Sequence, residues 1–228
     1  IYDACESGSF LSALSGSSNR QVLTSTLPGE NAYFISQGAI SFSNYFWTHV
    51  FNGLSLDEAF RLTSEALEFT TDDQHIQIDA NSNGIGNEPD DLAWLVNKHI
   101  GNGTDFFQEG PVIGSVSDED TIEDTNSAML VAEGVTDDDG IARVWAVIRP
   151  PDFRPSSSSK PMQDLPSIDF KPLGNDKYGA TYKEFNSTGT YQIAIYAMDR
   201  VGNTSVPKQT SVSVGNPLKR KAVIIAGG

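Results

Sequence analysis

From residue 111 to about 215 the chain is written in short β-branched and aromatic runs, each closed by Gly, Asn, Asp or Pro: AMLVAEGV, IARVWAVIR, YGATYKEF, GTYQIAIYAMD and QTSVSV. Five runs of strand length at such spacing cannot be helices, and without helices between them they cannot form a parallel sheet. They predict an antiparallel sandwich. In GTYQIAIYAMD the alternate residues Tyr191, Ile193, Ile195 and Ala197 share one face, the face that such a sandwich turns to its core. The serine- and proline-rich RPSSSSKPMQDLP between two of these runs reads as a long loop.

The stretch GTYQIAIYAMDRVGNTSVP resembles the closing strands of bacterial immunoglobulin-like modules, and the resemblance covers about a hundred residues. It implies an extracellular or cell-envelope setting. Composition narrows the partners. Acidic residues outnumber basic ones 30 to 15, so a polyanion such as nucleic acid is repelled rather than steered in. No apolar stretch approaches the ~20 residues of a membrane helix. The single cysteine leaves no internal disulfide from which to read a redox compartment.

The first 110 residues carry a different signature, and composition changes at Gly110-Pro111. Residues 20–25 (RQVLTS) read as a buried strand and residues 41–51 (SFSNYFWTHVF) as an aromatic helix. Ser55 and Glu58 have capping-box spacing ahead of a helix with Ala59, Phe60, Leu62, Ala66 and Leu67 on its apolar side. A third helix is expected from Pro89 to His99, with Gly101 ending it. The last residues, 216–228 (NPLKRKAVIIAGG), read as a basic linker and the first strand of a following α/β domain.

Cys5 stands where a short apolar run meets the small-residue turn Glu6-Ser7-Gly8-Ser9. A thiol at a strand end is displayed for chemistry, although a structural cysteine fits the same place. The segment DACESGSF resembles the cysteine signature of legumain, the caspases, metacaspases and clostripain. LTSTLPGENAYF followed by an aromatic helix is similar to the strand and loop beside the substrate cleft of that clan. The resemblance covers residues 1–100. It implies a cysteine endopeptidase fold, the C-terminal part of a caspase-like α/β three-layer sandwich over residues 1–110. An all-β immunoglobulin-like sandwich over 111–215 follows it. It further implies that Cys5 is the nucleophile and that its N–H helps hold the oxyanion. Asp3 then lines the pocket for an Arg or Lys side chain of a polypeptide substrate, with Thr24, Ser25 and Thr26 as pocket walls.

In that clan the catalytic histidine precedes the cysteine and is followed by glycine. None of His49, His75 and His99 is followed by glycine. The expectation is that the base comes from an upstream part of the same polypeptide and that this portion alone is inactive, its thiol staying protonated.

A second motif needs no family. DANSNGIGNEPDD, residues 79–91, has oxygen side chains at loop positions one, three and five and glycine at six. This is the spacing that wraps oxygens around calcium. The expected ligands are Asp79, Asn81, Asn83, the Ile85 carbonyl, Asn87 and Asp90; an Asn/Gly-rich turn is the plainer alternative. The acidic runs 118–124 and 137–139 are read as solvated turns before a second calcium site. Two functions follow: a secreted, multidomain cysteine endopeptidase, or a non-enzymatic surface protein in which a degenerate peptidase fold and immunoglobulin-like modules form a binding or spacer array.

Overall fold

The structure, a computed structural model, describes residues 1–16, 20–36, 38–71, 73–100, 110–154 and 162–215. The expected linker and strand at 216–228, and most of the serine-rich loop, lie outside the described residues.

The first hundred residues build mostly helix. A 3-10 turn at Ser7–Phe10 runs into α1 (Leu11–Leu14). There follow β1 (Val22–Thr24), β2 (Phe34–Ile35), α2 (Phe42–Phe51), α3 (Leu56–Thr71), β3 (Gln77–Asp79) and α4 (Pro89–Leu95). Ser41 starts α2 by accepting the Asn44 N–H on its hydroxyl. Ser55 donates its hydroxyl to Glu58 at 3.0 Å at the head of α3. α4 begins at Pro89 as expected but ends at Leu95, because Asn97 turns left-handed (φ 57°) two residues later.

The second hundred residues build the sandwich. Its strands are β4 (Val112–Val116), β5 (Asp120–Ile122), β6 (Ala128–Thr136), β7 (Ile141–Arg149), β8 (Met162–Gln163), β9 (Ser167–Asp169), β10 (Lys171–Gly174), β11 (Lys177–Tyr182), β12 (Gly189–Asp199) and β13 (Lys208–Val214). Among the described residues one sheet has the order β10-β11-β6-β4 and the other β5-β13-β12-β7-β9. All pairings within them are antiparallel except that of β5 with β13. The phenol oxygen of Tyr191, near the start of β12, accepts the Ser187 N–H at 2.7 Å; such a tyrosine corner is a hallmark of immunoglobulin-type sandwiches. This part of the chain is an immunoglobulin-like sandwich.

β7 and β12 explain how the two halves meet. Their odd and even residues face two different cores. Val144, Ala146, Ile148, Ile193, Ile195 and Ala197 pack inward against the four-stranded sheet. Trp145, Val147, Ala194 and Tyr196 turn the other way and pack with Phe42, Tyr45, Phe46 and Leu67 of α2 and α3. Trp145 and Tyr196, opposite one another in the register, stack at 5.3 Å between centroids. The Tyr196 and Tyr45 hydroxyls share a buried hydrogen bond of 2.8 Å across the junction. Arg149 reaches from β7 to Gln192 at 2.7 Å and to the Phe69 carbonyl at 3.3 Å. The layers are thus helices, five-stranded sheet, four-stranded sheet.

The expected caspase-like α/β part is corrected by the strand pairing. That fold needs a continuous parallel sheet under its helices. Here β1 pairs antiparallel with β3, Leu23 opposite Ile78, and only a single parallel bridge joins Tyr2 to Thr24 on its other edge. β2 pairs not with these strands but with β8 from the second half. The sheet that the helices cover is the sandwich's own.

Candidate functional site

Cys5 sits in the turn after the Tyr2–Thr24 bridge and is half-buried. Its thiol lies 3.8 Å from the Ala32 carbonyl oxygen. Glu6, next along, is left-handed at φ 57°, and the Glu6 N–H donates to the Glu30 carbonyl at 2.7 Å. Gly8 follows because a side chain does not fit. A Cβ there would lie 2.5 Å from both the Thr26 carbonyl and the Gln77 amide oxygen.

The other residues expected around the thiol are places where the chain holds itself together. Thr24, Ser25 and Thr26 are fully buried. The Ser25 hydroxyl accepts the Ala4 N–H at 3.1 Å, and Ser7 meets Ser25 and Thr26 through hydroxyls at 3.3 and 3.1 Å. One Asp3 oxygen accepts from the Ser43 N–H at 3.2 Å and the Ser43 hydroxyl at 2.6 Å, which holds the carboxylate at the N-terminal end of α2.

Two of the three histidines are engaged elsewhere. His49 is 1% exposed inside the α2–α3 packing, and burial, followed by the charge of Arg61, pulls its pKa down to about 4. His75 pairs through Nδ1 with Glu30 at 2.7 Å. His99 is exposed.

The 79–91 loop gathers oxygens. Asp79 is fully buried; its carboxylate accepts the Gly84 N–H at 2.8 Å, the Asn83 N–H at 3.2 Å and the Ser15 hydroxyl. The side-chain amides of Asn81 and Asn83 both meet the Glu88 carboxylate. Gly84 takes φ 86°, where a side chain is strained. Asn87 is committed to β3 instead, accepting from the Ile78 N–H and donating to the Ile76 carbonyl, each at 2.9 Å. Asp90 is exposed, as is Ile85. The neighbouring Asp91 is buried and accepts from the backbone of Ala80 and Glu88, each at 2.8 Å. Sequence spacing counted to position twelve and so passed over Glu88. Its signal is the proline after it, which starts α4 and leaves Glu88 as the capping residue facing the loop. Asp79, Asn81, Asn83 and Glu88 carry side-chain oxygens of the hard kind that calcium takes, each of them here accepting hydrogen bonds within the loop.

A second group of carboxylates, Asp137, Asp139 and Asp199, lies at one end of the sandwich with oxygens within 4.8 Å of one another. Burial pushes the Asp199 carboxyl up, but hydrogen bonds from Asn203, Gly202 and Val201 outweigh it and hold the group below the usual carboxylate range. Among the described residues no helix is long and apolar enough to cross a membrane.

No family model matches the chain, and no curated protein matches it. Among solved structures, the fibronectin(III)-like modules of Clostridium thermocellum CbhA align over 45% of this chain and 98% of their own, at 17% identity and a TM-score of 0.31. The titin M3 domain aligns over 47% of this chain and 98% of its own, at 12% identity and a TM-score of 0.30. The resemblance to the legumain and caspase clan is corrected by the strand pairing: β1, beside Cys5, pairs antiparallel with β3, β2 pairs with β8 of the sandwich, and the continuous parallel sheet that the clan needs is not among the described residues. The fold that the two sheets and the tyrosine corner establish is an immunoglobulin-like sandwich, faced on one side by helices.

Proposed function

We propose that this chain is a non-enzymatic binding or spacer unit of an extracellular or cell-envelope protein, of the bacterial multidomain kind. The observation that carries the reading is the shared core of Trp145, Tyr196, Tyr45 and Phe46. It joins the first hundred residues to the sandwich in one apolar core, which supports reading them as its covering. A sandwich stiffened in this way suits a part that positions its neighbours. Incubation of the protein with a mixed peptide library is expected to yield no cleavage, with the Cys5 thiol intact or alkylated alike. Cleavage abolished by Cys5→Ala overturns the reading.

The 79–91 loop supports a structural calcium ion in the same unit. Bound calcium would be held by Asp79, Asn81, Asn83 and Glu88, and would neutralise part of the chain's net charge of −15. Through Asp79 and its partner Ser15 it would also fix the segment that follows Cys5. Calcium added to chelator-treated protein is expected to raise the unfolding temperature by several degrees, about 2–3 kcal/mol at a hundredfold excess over Kd. Glu88→Gln should reduce that gain at a fixed calcium concentration. An unfolding temperature that ignores calcium overturns the assignment.

A further inference from the structure

One groove in the molecule differs from the rest of the surface in its chemistry. It lies between α2 and the turn that follows β12 and has a volume of about 480 Å³, within the range of sites that hold small ligands. Trp47, Thr48 and Phe51 form one wall; Asn203 and Thr204 form the other. Although a fifth of the chain's residues are charged, none of the described residues lining the groove is.

That lining selects a class of ligand. The acidic molecule around the groove repels anions, and without a carboxylate among its described lining residues the groove has no partner to fix a cation, which favours a neutral ligand. The rings of Trp47 and Phe51, one helical turn apart, lie 28° from parallel with centroids 5.8 Å apart, and Phe51 is 59% exposed. At that separation the rings are stacked with an offset, so the apolar ledge that the pair offers is the exposed ring of Phe51, backed by Trp47. Beside the ledge the Thr48 and Thr204 hydroxyls make no side-chain hydrogen bond with another described residue, and the Asn203 amide is oriented by its bond to Asp199. A flat apolar face next to unspent hydroxyls matches a pyranose ring, with C–H groups on its face and hydroxyls around its rim. An extended peptide fits less well, since a helix and a turn give it no strand edge to pair with.

We infer that this groove binds a neutral glycan, so that the unit proposed above as a binding or spacer module takes carbohydrate. The inference rests on that reading, and the two fail differently. Library cleavage that depends on Cys5 removes the module reading, whereas a result without glycan binding removes only this one.

The test is calorimetric titration of the whole chain with neutral hexasaccharides built from glucose, xylose, mannose and N-acetylglucosamine. A hexauronate is included as the charged control. At least one neutral member is expected to bind with a Kd below about 5 mM, and the hexauronate not to bind. Phe51→Ala, at an exposed position that leaves the fold intact, is expected to weaken binding at least about tenfold, and Thr48→Val by a smaller factor. No binding by any neutral member at about 10 mM overturns the inference. So does equal binding by wild type and Phe51→Ala, and so does preference for the hexauronate or for an unstructured peptide of the same length.

Discussion

Tyr196→Ala is expected to destabilise the protein by about 3–5 kcal/mol, the cost of deleting a large aromatic side chain from a packed interior. Tyr196 is 1% exposed, stacks on Trp145 and bonds through its hydroxyl to Tyr45. Its loss opens a cavity where the helical layer meets the five-stranded sheet. Because that junction belongs to one core, far-ultraviolet circular dichroism and tryptophan fluorescence should report a single shifted transition in urea. Two transitions, only one of them moved by the substitution, would falsify the shared core. Tyr196→Phe separates packing from polarity. It keeps the ring but takes away one hydrogen-bond partner of Tyr45, and it should cost about 1–2 kcal/mol. Burial pushes the Tyr45 phenol up to about 12, with the Tyr196 and Thr70 hydroxyls pulling it part of the way back. Neither tyrosine of the pair should therefore ionise in an ultraviolet titration to pH 11.

The second large effect is acid sensitivity centred on His49. Its pKa is about 4 in the folded protein against an ordinary 6.5, because the ring is buried beneath α3 and faces the positive Arg61. Between those values the unfolded chain binds a proton that the folded chain refuses, so stability rises with pH across the window. The contribution is complete above pH 6.5 and lost as pH falls toward 4. It amounts to about 3 kcal/mol at 1.36 kcal/mol per unit. His49→Leu should flatten the dependence of unfolding free energy on pH between 6.5 and 4. The difference between wild type and variant isolates this residue from the other ionisable groups of the chain. Parallel curves for the two proteins would assign the acid sensitivity elsewhere.

The long elements of this fold are legible in its sequence and the pairings are not. GTYQIAIYAMD is β12 to the residue, and IARVWAVIR is β7. Both carry enough β-branched and aromatic side chains to state their conformation locally. What their text also contained was burial on two sides. Ala194, Tyr196, Trp145 and Val147 fill the positions between the expected core residues with further apolar side chains, as strands covered on both faces do. β10 gives no such signal, since KPLG is exposed throughout. Around Cys5 the expected turn is present, but the strand expected before it is reduced to the single bridge at Tyr2. The direction in which β1 pairs depends on β3, more than fifty residues away, and no local pattern encodes it. The 79–91 loop shows the same division. Spacing brought Asp79, Asn81 and Asn83 into one turn, whereas Glu88 joins it through the start of α4 and Asn87 is drawn off by β3.

The hydrocarbon that β7 and β12 turn toward the helices bears on how such a unit can be inherited and reused. An immunoglobulin-type bead whose outward strand faces are polar can be copied from gene to gene by itself. Here Trp145, Val147 and Tyr196 would meet water if residues 111–215 travelled alone, and the bead would adhere to its neighbours. Recombination that preserves a working product must carry the helices along with the sandwich, so the heritable cassette spans both halves.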